Sequence, residues 1–176
     1  MTRRMWAVVL ALAFLVAACA PATLAETVSA PVGTRPGNAA PDFRLKTLSD
    51  DEVSLSDFRS RPVFINFWAS WCGPCRAEMP EIVAAYQAHK DTGLEVLAIN
   101  LTFQDTVADA QAFVDEFQMP FPALLDETGE VSQAYSLFGL PTSVFVDAEG
   151  IVRAVNAGPL TGEAIEQYLA QILVAR

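Results

Sequence analysis

The hydrophobic pattern of this chain changes three times. Residues 6–20 form an uncharged apolar run of 15 residues behind Arg3 and Arg4, shorter than the roughly 20 that a membrane-spanning helix needs. From residue 20 to about 40 the periodicity disappears, and Pro21, Pro31, Pro36, Gly33 and Gly37 stand among alanines, a linker composition. Residues 63–68 (Val-Phe-Ile-Asn-Phe-Trp) are then almost continuously apolar, as in a strand covered on both faces. Met79, Ile82, Val83 and Tyr86 follow at i, i+3, i+4 and i+7, which predicts a helix with one buried face ending near Lys90 and Gly93. Residues 94–100 read as a strand, 107–117 as a helix, 121–125 as a short strand and 130–137 as a helix. Two strands, 143–146 and 151–155, flank the turn Asp147-Ala148-Glu149-Gly150, and a helix over 162–173 closes the chain. Such alternation, with a hairpin and helix at the end, predicts an α/β domain of three layers.

Composition narrows the function. Apolar residues make up 52% and charged ones 18%, a globular balance. The net charge is −10. Loss of Arg3 and Arg4 with a leader would leave nine basic residues against 21 acidic ones, or −12. Nothing so acidic, without a basic stripe, suits nucleic acid. The 176 residues allow one domain plus a tail. A single His and three Cys exclude a rich metal cluster, and no cofactor is implied.

A basic start, an apolar middle and small residues at the exit are the marks of a secretory signal. Its end, Leu15-Val16-Ala17-Ala18-Cys19, resembles the lipobox of bacterial lipoproteins, whose Cys is acylated and becomes the new N-terminus. The alternatives are an ordinary signal cut after Ala25 and an uncleaved anchor; all three place the domain outside the cytoplasm. The expected organisation is a signal peptide over 1–18, a lipid-anchored flexible tether over 19–40 and one domain over 41–176. Cys19 then serves the anchor, which leaves two cysteines for chemistry.

Trp71-Cys72-Gly73-Pro74-Cys75 lies where the buried strand gives way to the helix. Backbone N–H groups and the dipole at a helix N-terminus stabilise a thiolate, so the Cys72 pKa is expected below that of a free thiol. Pro74 suits the first helical turn. Cysteines three apart share one side of that turn, so Cys72 can attack a disulfide and Cys75 can resolve the mixed disulfide. A zinc half-site would need ligands that His89 and Cys19 cannot supply. A purely structural disulfide would close a loop too short to contribute much.

Phe67-Trp68-Ala69-Ser70-Trp71-Cys72-Gly73-Pro74-Cys75, with Gly139-Leu140-Pro141-Thr142 and the Asp147/Gly150 hairpin, resembles the thioredoxin superfamily. The segment Ala40-Pro41-Asp42-Phe43, an extra helix and strand between about 106 and 125, and the export signal are similar to the TlpA-like branch of membrane-anchored, extracytoplasmic disulfide reductases, which includes ResA and CcmG. That resemblance implies a thioredoxin-like fold, a central mixed sheet flanked by helices with an N-terminal extension and a helix-strand insert. It also implies Cys72 as nucleophile, Cys75 as resolving thiol and Pro141 as a cis-proline, with Leu140 before it offering backbone to the substrate. Gly73, Pro74 and Trp71 are the remaining expected substrate contacts, whereas Trp68 is expected in the core.

Thioredoxin carries a buried Asp where this chain has Asn66, and Asn cannot take a proton. Glu78, three residues after Cys75 and matching a Glu of ResA-like members, is the candidate acceptor if burial raises its pKa; the alternative is a solvated Glu beside Arg76. Pro80 should kink the helix, and His89 is expected to be solvated or to cap its end. Asp105, Asp109, Asp115 and Glu116 are read as a solvated helix face.

The Gly-Pro pair between the cysteines is that of thioredoxin, at about −270 mV, not the oxidant DsbA at about −120 mV, and predicts a reductant. The resemblance implies a monomer acting on protein disulfides, apocytochrome c among them, and re-reduced by a membrane thiol transporter of the CcdA or DsbD kind. Two alternatives remain. One is a peroxiredoxin-like peroxidase, although its P-x-x-x-T-x-x-C pattern meets Ile65 and Ala69 here. The other is a tethered binding module with an incidental Cys pair.

Overall fold

The computed structural model describes residues 30–173, so the expected signal peptide, Cys19 and the first half of the tether lie outside the described residues. Seven strands form one mixed sheet: β1 (Arg44–Thr47), β2 (Glu52–Ser54), β3 (Val63–Trp68), β4 (Glu95–Asn100), β5 (Ala123–Leu125), β6 (Thr142–Val146) and β7 (Val152–Ala157). Their order is β2-β1-β5-β4-β3-β6-β7. β3 is central, parallel to β4 and antiparallel to β6, and every one of its residues is buried. That explains its unbroken apolar run, because a strand covered on both faces has no solvent side to alternate toward.

Four helices complete the domain: α1 (Gly73–His89), α2 (Val107–Phe117), α3 (Glu130–Ala134) and α4 (Gly162–Ile172). Alternate residues of β3 feed two cores. Phe64 and Trp68 join Met79 and Ile82 of α1, Phe113 of α2 and Ile165 and Leu169 of α4. Ile65 and Phe67 face Phe43, Leu55, Val131 and Tyr135 on the other side. Phe113 lies against Trp68 with ring centroids 4.3 Å apart, so burial of its ring, worth about 2–3 kcal/mol, fixes α2 beside the end of β3.

The structure differs from the sequence expectations at several places. Residues 31–40, expected in the flexible tether, are held against β7. Gly37 N–H donates to the Val152 carbonyl at 2.8 Å, Val152 N–H to Asn38 at 2.9 Å and Ala40 N–H to Gly150 at 2.9 Å. Gly37 turns the segment back at φ 92°, a conformation open to glycine and strained for most other residues. The hairpin of β1 and β2 has no counterpart in the sequence reading, because its strands are short and mostly polar. β5 begins at Ala123, two residues late, since Pro120 and Pro122 bracket Phe121 and lack the N–H that a ladder needs. α3 stops at Ala134 and not at 137, where Ser136 turns left-handed at φ 52°. α1 continues through Pro80, which offers no N–H to the carbonyl one turn back. At its end His89 faces Glu166 of α4 at 2.9 Å, so it links two helices.

Candidate active site

Strand β3 ends at Trp68, and the chain turns through Ala69–Trp71 to enter α1 with Cys72 as its N-cap. Cys72 and Cys75 form a disulfide, with Cα atoms 5.2 Å apart. Cys72 Sγ accepts the Cys75 backbone N–H at 3.2 Å. This sulfur occupies the place where a capping oxygen satisfies an orphan helix donor, so negative charge on it after reduction meets an N–H already aimed at it. Cys75 is wholly buried, and Gly73 and Pro74 are exposed beside the pair. An incoming molecule therefore meets the Cys72 side of the disulfide first.

Glu78 is one helical turn beyond Cys75 and only 1% exposed. It does not pair with Arg76, which bonds Glu116 and lies over the Phe113 and Phe117 rings. Its Oε1 accepts from Asn66 Nδ2 of β3 at 2.8 Å, and its Oε2 accepts from the Leu160 backbone N–H at 2.8 Å. Burial raises the Glu78 pKa above the ordinary glutamate value, and the bonds from Leu160 and Asn66 offset only part of that rise. The result is a carboxyl that can hold a proton nearer neutrality than a surface Glu can. The sequence pointed to Glu78 and Asn66 separately. It did not reveal that they bond each other, nor that Leu160, 82 residues further along, closes the arrangement.

The Leu140–Pro141 peptide is cis. Thr142 Oγ1 donates to the Gly139 carbonyl at 2.8 Å and Gly158 N–H to that of Pro141 at 2.9 Å, so this loop is tied on both sides. Leu140 and Trp71 line one cavity of about 700 Å³ with Phe103, Gln104, Leu137 and Phe138, and none of its lining side chains is charged. Phe138 is 100% exposed and Trp71 58%. Trp71 and Leu140 adjoin Cys72 and Pro141 in the chain, and an uncharged cavity with an aromatic rim has the composition of surfaces that can receive another molecule. The sequence reading had Trp71 and Leu140 but not Phe103 and Phe138, which are far apart in the chain and lack any periodicity.

Asp105 departs from the solvated face expected of it. It precedes α2, and its carboxylate accepts from Ser70 N–H at 2.7 Å, Ser70 Oγ at 2.6 Å, Asn100 Nδ2 at 2.8 Å and Thr106 N–H at 2.9 Å. Partial burial acts to raise its pKa, but these four donors outweigh it and the pKa is lowered. Trp71 Nε1–H donates to the neighbouring Gln104 carbonyl at 2.9 Å, so the turn before Cys72 is clamped to the end of β4. Asp105→Ala should destabilise the protein by about 2 kcal/mol, because it leaves several donors without an acceptor. Urea unfolding measures this; a loss below about 0.5 kcal/mol would show the clamp to be dispensable.

Residues 36–155 match the AhpC/TSA family. A thiol-disulfide oxidoreductase ResA from Oceanobacillus iheyensis is 39% identical over 142 residues, covering 78% of this chain and 73% of that protein. The thioredoxin-like protein YneN from Bacillus subtilis is 37% identical over 139 residues, covering 78% and 81%. Among solved structures, the Chlorobium tepidum protein provisionally named thiol:disulfide interchange protein DsbE superposes with a TM-score of 0.75 at 33% identity, over 81% of this chain and 100% of its own. A disulfide at a helix N-terminus, a cis-proline loop and a seven-stranded mixed sheet thus coincide with extensive sequence similarity, and the chain belongs to the AhpC/TSA family as a thioredoxin-like thiol-disulfide oxidoreductase related to ResA.

Proposed function

We propose that the protein reduces disulfides of exported proteins, with Cys72 as nucleophile, Cys75 as resolving thiol and Glu78 as acceptor of the Cys75 proton. The observation that carries this reading is the disulfide itself, one sulfur at the helix cap beside an uncharged, aromatic-rimmed cavity and the other buried one turn from Glu78. In the reduced protein the Cys72 thiolate attacks one sulfur of a client disulfide and the first client thiolate leaves. Cys75 passes its proton to Glu78 and attacks Cys72 Sγ. The second client thiolate leaves and the Cys72–Cys75 bond forms, so the client gains the two electrons that the dithiol loses. Trp71, Gly73, Pro74 and Leu140 contact the client in this scheme, and Pro141 fixes the loop that presents Leu140.

In this reading Cys19 is acylated after removal of residues 1–18, and the chain up to about residue 30 tethers a monomeric domain to a membrane outside the cytoplasm, in the periplasm or at the cell surface. Among the described residues no helix is long and apolar enough to cross a membrane. A membrane thiol transporter of the CcdA or DsbD kind returns the electrons, and apocytochrome c, whose haem-binding cysteines must be reduced before haem is attached, is one client class of this reading. The test supplies the protein with a dithiol donor and offers insulin and hydrogen peroxide in parallel. Insulin should be reduced and peroxide left at its background rate; peroxide consumption without insulin reduction would overturn the proposal in favour of a peroxidase, and neither activity in favour of a binding module.

A further inference from the structure

The two oxygens of Glu78 have unlike neighbours. Oε2 faces the Leu160 backbone N–H at 2.8 Å, a group that can only donate. Oε1 faces the side-chain amide of Asn66, whose Nδ2 donates to it at 2.8 Å and to Ser143 Oγ of β6 at 3.2 Å. Asn66 and Ser143 are fully buried. Among the described residues Asn66 Oδ1 has no hydrogen-bond partner, a costly state for a buried amide oxygen. An asparagine that leaves its strong acceptor unused is poorly explained as a fixed structural element, but one that uses its two ends in turn is well explained.

We propose that Asn66 is a positioning residue that follows the proton on Glu78, its amide turning end for end as that proton arrives and leaves. The inference rests on the reading of Glu78 as proton acceptor for Cys75. While Glu78 is ionised both of its oxygens accept, so Nδ2 must face Oε1, the arrangement observed here. The Leu160 N–H already favours the ionised form at Oε2 and can only donate, so the position at which a neighbour can adapt to the proton is the Oε1 lone pair that faces the Asn66 amide. An O–H there would oppose the N–H of Asn66. Half a turn about the last side-chain torsion puts Oδ1 there instead, and it then accepts from Oε1–H and from the Ser143 hydroxyl. One end of the amide is unpaired in either orientation, Oδ1 in the first and Nδ2 in the second, so the two arrangements balance and the proton decides between them.

No other element disturbs this arrangement electrically. Asn66 from β3, Ser143 from β6 and Leu160 from the loop before α4 are all neutral, and among the described residues no charged side chain contributes to the environment of Glu78. Cys75, one turn back on α1, is the titratable partner. Leucine at position 66 would leave either form of Glu78 without a partner on Oε1. Aspartate would set a second carboxylate against the first.

The test follows the oxidised full chain by NMR, recording the Glu78 carboxyl carbon and the Asn66 side-chain amide across pH. The Asn66 signals should move with the same midpoint as the Glu78 carboxyl, and in Glu78→Gln they should stay at the low-pH position throughout, because the Gln amide can donate toward Oδ1 as the protonated acid does. Asn66 signals that stay flat while Glu78 titrates would overturn the inference and leave the role of Glu78 standing. A rate of mixed-disulfide resolution unchanged in Glu78→Gln would overturn that role and this inference with it. In a second measurement, Asn66→Leu should move the midpoint of the resolution pH profile by less than about 0.3 unit, since the turning amide serves both forms of Glu78 and both lose a hydrogen bond; a rise of about one unit, as when only the carboxylate loses a donor, would overturn the inference.

Discussion

Cys72→Ser should bring insulin reduction down to the uncatalysed background, while Cys75→Ser should stop the reaction halfway, with one client molecule held covalently on each chain. The contrast follows from where the two sulfurs sit. Cys72 Sγ occupies the cap of α1 and accepts the Cys75 N–H, and the helix terminus favours charge there in the reduced protein. A serine hydroxyl at that position stays protonated at neutral pH and does not attack a disulfide. Cys75 has no exposed surface, so a bulky client cannot reach it and its only accessible target is Cys72. Without it, the first exchange proceeds and the mixed disulfide persists. Non-reducing electrophoresis with mass analysis reads both results. Trapping by Cys72→Ser, or full turnover by Cys75→Ser, would reverse the assigned roles. The trapped species would also identify the clients.

The parts of this site that were legible in the sequence are those whose chemistry is local. Cys72, Pro74 and Cys75 sit within one helical turn, and the six apolar residues of β3 announce a buried strand directly before them. Three further elements fall where their periodicity placed them, within a residue or so: α2 at Val107–Phe117, β4 at Glu95–Asn100 and α4 at Gly162–Ile172. What escaped the sequence was long-range. Leu160 reaches Glu78 through a backbone N–H, a group every residue but proline has, so no side-chain type could reveal it. Asp105 lies among other acids in a pattern that suits an exposed helix face, and only the return of the chain beside Ser70 turns it into a clamp. The residues 31–40 have linker composition, yet their backbone groups pair with β7, because pairing depends on a free strand edge more than on side chains.

Glu78→Gln separates the catalytic demand on this carboxyl from its cost to stability, because the two effects run in opposite directions. Without an acceptor for the Cys75 proton, resolution of the mixed disulfide should slow about 100-fold near neutral pH, the lower range for a positioned general base. The deficit should shrink at alkaline pH, where a thiol ionises unaided. The stability effect has the other sign. A carboxyl whose folded-state pKa is raised binds more proton in the folded than in the unfolded chain, so stability declines as pH rises from the ordinary glutamate value of 4.5 to the raised value in the fold. Above that value the wild-type protein carries the full penalty, about 1.4 kcal/mol for each unit of elevation. Glu78→Gln has no proton to lose, so its urea-unfolding stability should lack this decline and exceed that of the wild type on the alkaline side. A variant that is slower but equally pH-sensitive in stability would place the proton elsewhere. One that loses the pH-dependent decline yet resolves mixed disulfides at the wild-type rate would make Glu78 a buried structural acid. Only the joint outcome, slower chemistry in a protein more stable at high pH, fits a group held at an energetic cost for the proton it carries.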